Sequence, residues 1–340
     1  LQILSDWTKK EPFLIWGHVA NHGDHYFWAN ESGNISEVIE GLKSLTESKN
    51  VLCDLFTIFT LDYLEILNLF EGQFNIYIYQ EQFNTFFIEY TQLKLSQYKG
   101  LKSISYENDR ILGHEWSPSQ VQESLSKMKS IMDWINENGK KVGRAHIEPQ
   151  DKKDRIMFDD QIQLCKDSLF SFMIDNYIVK DYANRTYDIK TFSVYDFINY
   201  ILNKKLINQD QYNLLVGKLI MIGYRFITAR KEVYIYYLKK YQFKIEGEVR
   251  WLFGYLKEAH VNREYVFSIV IEILYWVSKE EAVSLKENTE VISLFCDVIQ
   301  GENKDKRYLV KFRKKCEEIF SENIFLLNKF LKTIDSKLSE

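Results

Sequence analysis

An α/β fold followed by a helical C-terminal part is predicted by three observations. Two short apolar runs, VLCD at 51–54 and IYIY at 76–79, each pass directly into residues at helical spacing. A third run, Leu169–Ile174, lies between further helical segments, and strands that alternate with helices are the pattern of a parallel sheet. From Val249 to the end only the 3.6-residue period is visible, as in Leu327, Phe330, Leu331, Ile334 and Leu338.

In chain order, residues 13–35 read as extended. The aromatic runs FLIWGHV and HYFWA flank the turn-like NHGD, which predicts an N-terminal β-hairpin extension leading into a helix near Glu37–Leu45. Val51 opens a buried strand that runs through Asp54 into a helix with Leu61, Leu64, Leu67 and Phe70. IYIY is the second strand and Glu81–Leu93 the second helix. At Ser117-Pro118-Ser119-Gln120 the chain offers an N-cap serine, a proline at the first helical position and a glutamine that closes a capping box. Val121, Leu125, Met128, Met132 and Ile135 carry that helix to Gly139, and GKKVGRAHIEPQDKKDR reads as a polar connection. Then follow a short helix over Asp160–Lys166, the strand Leu169–Ile174, and a helix Ser193–Leu202 capped by Ser193 with Asp196 three residues on. Asn208 caps another helix through Ile222. The domain plan is an extension over 1–47, an α/β domain over 48–230 and a helical domain over 231–340.

At 340 residues the chain exceeds the usual size of one core. Its 44 basic and 48 acidic residues nearly cancel, which excludes a chain-wide attraction to nucleic acid or to an anionic membrane and leaves only local basic patches. Cys53, Cys165, Cys296 and Cys316 form no CxxC pair, so neither a thiolate zinc site nor a disulfide framework is indicated, and a reducing cytoplasm fits. The chain starts at Leu1 rather than Met with no basic-then-apolar leader, which reads as a fragment or a processed product. Apolar stretches near Val266–Val277 and Leu214–Ile227 are broken by Glu272, Lys218 and Arg225, so no membrane span is expected. No GxxxxGK[ST], GxGxxG or GxSxG motif is present, which removes the commonest nucleotide-binding and serine-hydrolase readings.

The segments VLCDLFTIFTLDYLEILNLF, IYIYQEQFNTFF, FDDQIQLC and FSFMIDNYIVKDYA, taken in that order, together resemble a PIN-like domain of the bacterial type found in large repeat-containing proteins. VLCDLFTIFTLDYLEILNLF presents a strand-end aspartate before a helix, and Asp54 matches the family's first acid. IYIYQEQFNTFF resembles the second strand and helix, where the family's glutamate aligns with Thr85; Glu81 and Glu89, four residues to either side, share that helical face and are candidate replacements. FDDQIQLC supplies the third acid as Asp160 or Asp159. FSFMIDNYIVKDYA matches the passage to paired aspartates, here Asp175-Asn176. TFSVYDFINYI and LINQDQYNLLVGKLIMIGYRFI resemble the closing helices, so that the resemblance covers about half the chain.

The resemblance implies a metal-dependent ribonuclease in which Asp54, Asp160 and Asp175 are the catalytic acids and, with Asp159, Glu81 and Glu89, hold Mg²⁺ or Mn²⁺, cations that prefer oxygen ligands. The competing reading makes these acids helix caps or surface charge, in a catalytically degenerate module that binds protein partners in a larger assembly. For RNA or DNA contact the preferred guide is the loop with Lys140, Lys141, Arg144, Lys152, Lys153 and Arg155. The C-terminal set Lys304, Lys306, Arg307, Lys311, Arg313, Lys314 and Lys315 reads as a solvated helix face on which Tyr308 and Phe312 are core anchors. His18, His22, Asp24 and His25 partly match an H-x-D-H metal motif, but Ala20 replaces a histidine and a turn explains the residues better.

Overall fold

The computed structural model describes residues 12–21, 27–28, 35–98, 101–107, 110–143, 158–225, 227, 229–258, 261–280 and 285–339. His22, Asp24, His25, Arg144, Lys152, Lys153 and Arg155 lie outside these residues. The chain divides into two compact units, Leu1–Leu206 and Ile207–Glu340.

The first unit contains α1 (Pro12–Asn21), β1 (Phe27–Trp28), α2 (Ile35–Glu47), β2 (Asn50–Cys53), α3 (Leu55–Tyr63), α4 (Leu67–Glu71), β3 (Asn75–Tyr79) and α5 (Gln80–Leu95). After these come β4 (Leu101–Glu107), β5 (Arg110–Trp116), α6 (Pro118–Asn138), β6 (Gly139–Val142), α7 (Asp159–Ser168), β7 (Ser171–Met173), α8 (Tyr177–Tyr187), β8 (Thr191–Phe192) and α9 (Val194–Asn203). Five strands form one parallel sheet in the order β6-β3-β2-β7-β8. The central strand β2 is buried on both faces, which is why VLC carries no polar alternation. One face packs Leu52, Phe172 and Ile174 against Ile162, Cys165, Val179 and Ala183 of α7 and α8. Among the helices α3, α4, α5 and α9, the rings of Phe59 and Phe86 meet at 5.1 Å and those of Phe70 and Phe197 at 5.1 Å.

Two stretches depart from expectation. FLIWGHV, expected as the first arm of a hairpin, is helix α1. Phe13, Trp16 and Val19 recur at helical spacing and are buried, and the Phe13 ring meets Phe59 edge-on at 5.3 Å. GKKV, expected as connection, is the edge strand β6, because Ile76–Tyr79 of β3 offers it a parallel register from Gly139 to Val142. Two further strands, β4 and β5, pair antiparallel in register from Leu101↔Trp116 to Glu107↔Arg110.

The second unit is helical, with α10 (Gln209–Met221), β9 (Tyr224–Arg225), α11 (Lys231–Lys240), α12 (Gly247–Tyr255), α13 (Arg263–Val277), α14 (Leu285–Gln300), α15 (Lys306–Ile319) and α16 (Ile324–Ser339). Phe253 bridges Tyr234 and Phe295 in its core. Arg263 ties helix ends together: Nη2 donates to the carbonyls of Leu256 and Glu258, Nη1 to that of Val298, and Nε to that of Val261. These carbonyls follow α12 or close α14, where main-chain oxygens have no intrahelical donor. On α15, Phe312 is buried while Arg307, Lys311, Arg313 and Lys315 pair with Asp305, Glu264, Asp335 and Glu318. The helical period of the last third therefore corresponds to a packed helical unit with a paired, solvated charge face. Among the described residues no helix is long and apolar enough to cross a membrane.

Candidate acid site at the strand ends

In a parallel sheet all strands end on one edge, so residues that follow β2, β3 and β7 gather there. Asp54 follows β2 and Asp175 stands two residues past β7. The backbone N–H of Asp54 donates to the carbonyl of Met173 at 3.1 Å, which brings the two acids to the same edge on neighbouring strands.

Asp54 is the N-cap of α3. Its Oδ2 accepts the N–H of Phe56 at 3.1 Å, which satisfies one open donor of the first turn. Its Oδ1 accepts Nε2 of Gln82 from α5 at 2.7 Å. The residue is only 3% exposed, and burial pushes its carboxyl up to about 6, against the opposing pull of Gln82 and of the Phe56 and Leu55 N–H groups. Asp175 is also buried, and its Oδ1 accepts the N–H of Val194 at 2.9 Å in the first turn of α9. Asn176, the second member of the expected acid pair, caps α8 through Val179.

Asp159 and Asp160 occupy the first turn of α7 and are half-buried. Glu81 is exposed in the first turn of α5 and accepts from the Tyr79 hydroxyl at 3.3 Å. Glu89 lies two turns further on, buried, where its two oxygens accept the N–H groups of Phe13 and Leu14 at 3.0 and 2.9 Å. Its carboxylate caps α1. Thr85 turns its hydroxyl back to the carbonyl of Glu81. The α5 residue that reaches Asp54 is Gln82, which sequence reasoning passed over. The signal available was its place in the first turn after β3, at the same edge as Asp54.

The donor set fits a hard divalent cation in type. Two buried carboxylates stand at one strand edge, and Oε1 of Gln82 is buried without a hydrogen-bond partner among the described residues. On α7, Oε1 of Gln161, next to Asp160, is likewise buried and unpaired. Among the described residues no group of three His, Cys, Asp or Glu stands together at ligating range. Asp196, expected as a capping residue, is wholly buried and accepts from Ser193 N–H and Oγ and from Lys180 Nζ.

At the sheet margin, Lys140 and Lys141 of β6 are exposed, with their ammonium groups 5.8 Å from the Tyr77 ring and 4.2 Å from the Phe83 ring. The four cysteines are free and buried, consistent with apolar filling.

No curated protein and no solved structure matches the chain. The sequence model of one family, described as a PIN domain associated with the TPR-GreAB-C-PIN system, matches residues 52–176. That span begins in β2 just before Asp54 and ends just after Asp175, so it encloses both strand-end acids and three of the strands around them. The parallel sheet, its flanking helices and this match together identify the 52–176 segment as PIN-like.

Proposed function

We propose that the PIN-like part is a metal-dependent ribonuclease that hydrolyses phosphodiester bonds, with Asp54, Asp175 and Asp160 holding Mg²⁺ or Mn²⁺. The observation that carries this reading is the Asp54 N–H to Met173 carbonyl bond, because it brings the backbones of two buried aspartates to one strand-end edge, which supports a shared site. Burial disfavours the ionised Asp54 carboxyl, and a divalent cation would offset that cost. When bound, such an ion lowers the pKa of a water and offsets charge growing on the phosphoryl oxygens. The chain's own contribution is rigidity: Gln82 and the α3 N-terminus fix the Asp54 carboxylate, and the α9 N-terminus fixes Asp175. Lys140 and Lys141, exposed on the edge strand, would meet the phosphate backbone, with Arg144, Lys152 and Lys153 as the continuing guide.

A second reading has specific support. An amide stands against Asp54, and Asn176 replaces an acid and serves as a cap, which suits a catalytically degenerate PIN-like module. In that case the helical second unit and the larger system named in the family description favour protein partners. Calorimetric titration of Mn²⁺ into wild type and into the Asp54→Asn/Asp175→Asn variant separates the two. Saturable binding that disappears in a folded variant supports the nuclease reading, and no binding by folded wild type leaves the module.

A further inference from the structure

We infer that the groove between α5 and α6 is a base-stacking site for single-stranded RNA. It rests on the nuclease reading only in the choice of RNA, and it needs no cation at the strand ends. Phe83, Phe87 and Tyr90 fall at i, i+4 and i+7 on α5, so their rings share one helical face. With Met132 of α6 they line a groove of about 380 Å³. Pockets of about 300–1,000 Å³ are the usual size for small-molecule ligands, so a nucleobase has room here. Phe83 is buried, whereas Phe87 is 53% exposed, a large ring surface that core packing leaves uncovered.

Cations stand against these rings. The Lys141 ammonium lies 4.2 Å from the centre of the Phe83 ring, that of Lys94 lies 6.0 Å from the centre of Tyr90, and Lys129 lines the groove itself. Of the described residues that line the groove, Asp133 alone is acidic. Lys141 donates to Asn136 Oδ1 at 2.6 Å and Lys129 pairs with Asp133 at 2.5 Å, all at exposed positions. Exposed pairs hold weakly in water, which leaves both ammonium groups able to turn to phosphate. Single-stranded nucleic acid is held by aromatic faces that stack on bases and by cations that track the backbone, and α5 supplies the first with lysines beside them. A groove for an amphipathic partner helix presents a continuous apolar strip, whereas this one interleaves cations with rings.

The test is fluorescence anisotropy in EDTA, with a labelled oligouridine and an abasic strand of equal length as probes. The full chain is compared as wild type, Phe87→Ala and Ile88→Ala, the last an exposed apolar neighbour on α5 that does not line the groove. The inference expects Phe87→Ala to lose at least fivefold in affinity for oligouridine, and Ile88→Ala to stay within twofold of wild type. It expects wild type to bind the abasic strand at least fivefold more weakly than oligouridine. A smaller loss in a folded Phe87→Ala, or equal binding of the two strands, overturns it. So does a folded wild type that ignores oligouridine but binds an amphipathic helical peptide of Leu and Glu through Phe87, which would make the groove a protein-docking surface. EDTA separates this from the nuclease reading. Phe87-dependent binding without cleavage in Mn²⁺ keeps the groove and sinks the nuclease, whereas cleavage in Mn²⁺ with unaltered binding by Phe87→Ala does the reverse.

Discussion

The Glu89 carboxylate accepts the backbone N–H groups of Phe13 and Leu14, joining residues 76 and 75 positions apart in the chain. A first helical turn has open donors, and the approaching chain here finds a buried carboxylate to fill two of them. Trp16 adds a bond from its indole N–H to Thr60 Oγ1 at 3.0 Å. The site-bearing helices α3 and α5 are thus roofed by α1.

Glu89→Ala removes both acceptors and leaves buried donors unpaired, each worth about 1–3 kcal/mol. We predict a loss of roughly 3 kcal/mol in urea denaturation and faster proteolysis within residues 12–21. A variant within about 0.5 kcal/mol of wild type, which is the range of ordinary surface substitutions, would show that the cap does not anchor α1.

Gly41 of α2 stands against the Asp196 carboxylate so closely that a Cβ would collide with Cγ and both oxygens. Helix propensity alone favours alanine over glycine by about 1 kcal/mol. The collision opposes it, and Asp196 cannot retreat because Ser193 and Lys180 hold its Oδ2. Overpacking costs about 1–3 kcal/mol, so Gly41→Ala is expected to destabilise. A melt at or above the wild-type temperature would mean that the carboxylate moves freely.

The capping boxes were legible because they are local. Ser117 with Gln120 and Ser193 with Asp196 each form both reciprocal bonds that their spacing implies, and Asn208, expected as a cap, forms a box with Gln211. The strand-Asp54-helix passage was legible for the same reason. GKKV was not, since four residues with two lysines become a strand only when β3 supplies a partner. The helix α1 was misread because a short apolar aromatic run suits either period, and a carboxylate far along the chain settles which. Gln82 was missed because an alignment of charge types looks for an acid, whereas the sheet edge brings whatever residue follows β3.

Asp54 gives a pH dependence with a definite sign. Its folded carboxyl is raised to about 6 by burial, whereas an unfolded aspartate titrates near 3.9. The stability it contributes is therefore complete below about pH 4 and is lost as pH rises through 6, by a total of about 3 kcal/mol. Melts between pH 4 and 8 without metal should fall more steeply for wild type than for Asp54→Asn. Parallel profiles would contradict the burial argument.

Arg263 answers four carbonyls with one guanidinium in the second unit. Hydrogen bonds to a charged group contribute about 1.5–3 kcal/mol each, and the residue is only part-buried, so Arg263→Met is expected to cost about 3 kcal/mol in total. Denaturant unfolding that leaves the midpoint unchanged would assign those carbonyls to solvent.

The most direct test of the account is incubation of the full chain with end-labelled single-stranded RNA and Mn²⁺, run beside the Asp54→Asn/Asp175→Asn variant and an EDTA control. The account predicts cleavage by wild type alone, abolished by EDTA and by loss of the two strand-end acids. Intact RNA with folded, Mn²⁺-saturated wild type, or equal cleavage by the variant, would contradict it.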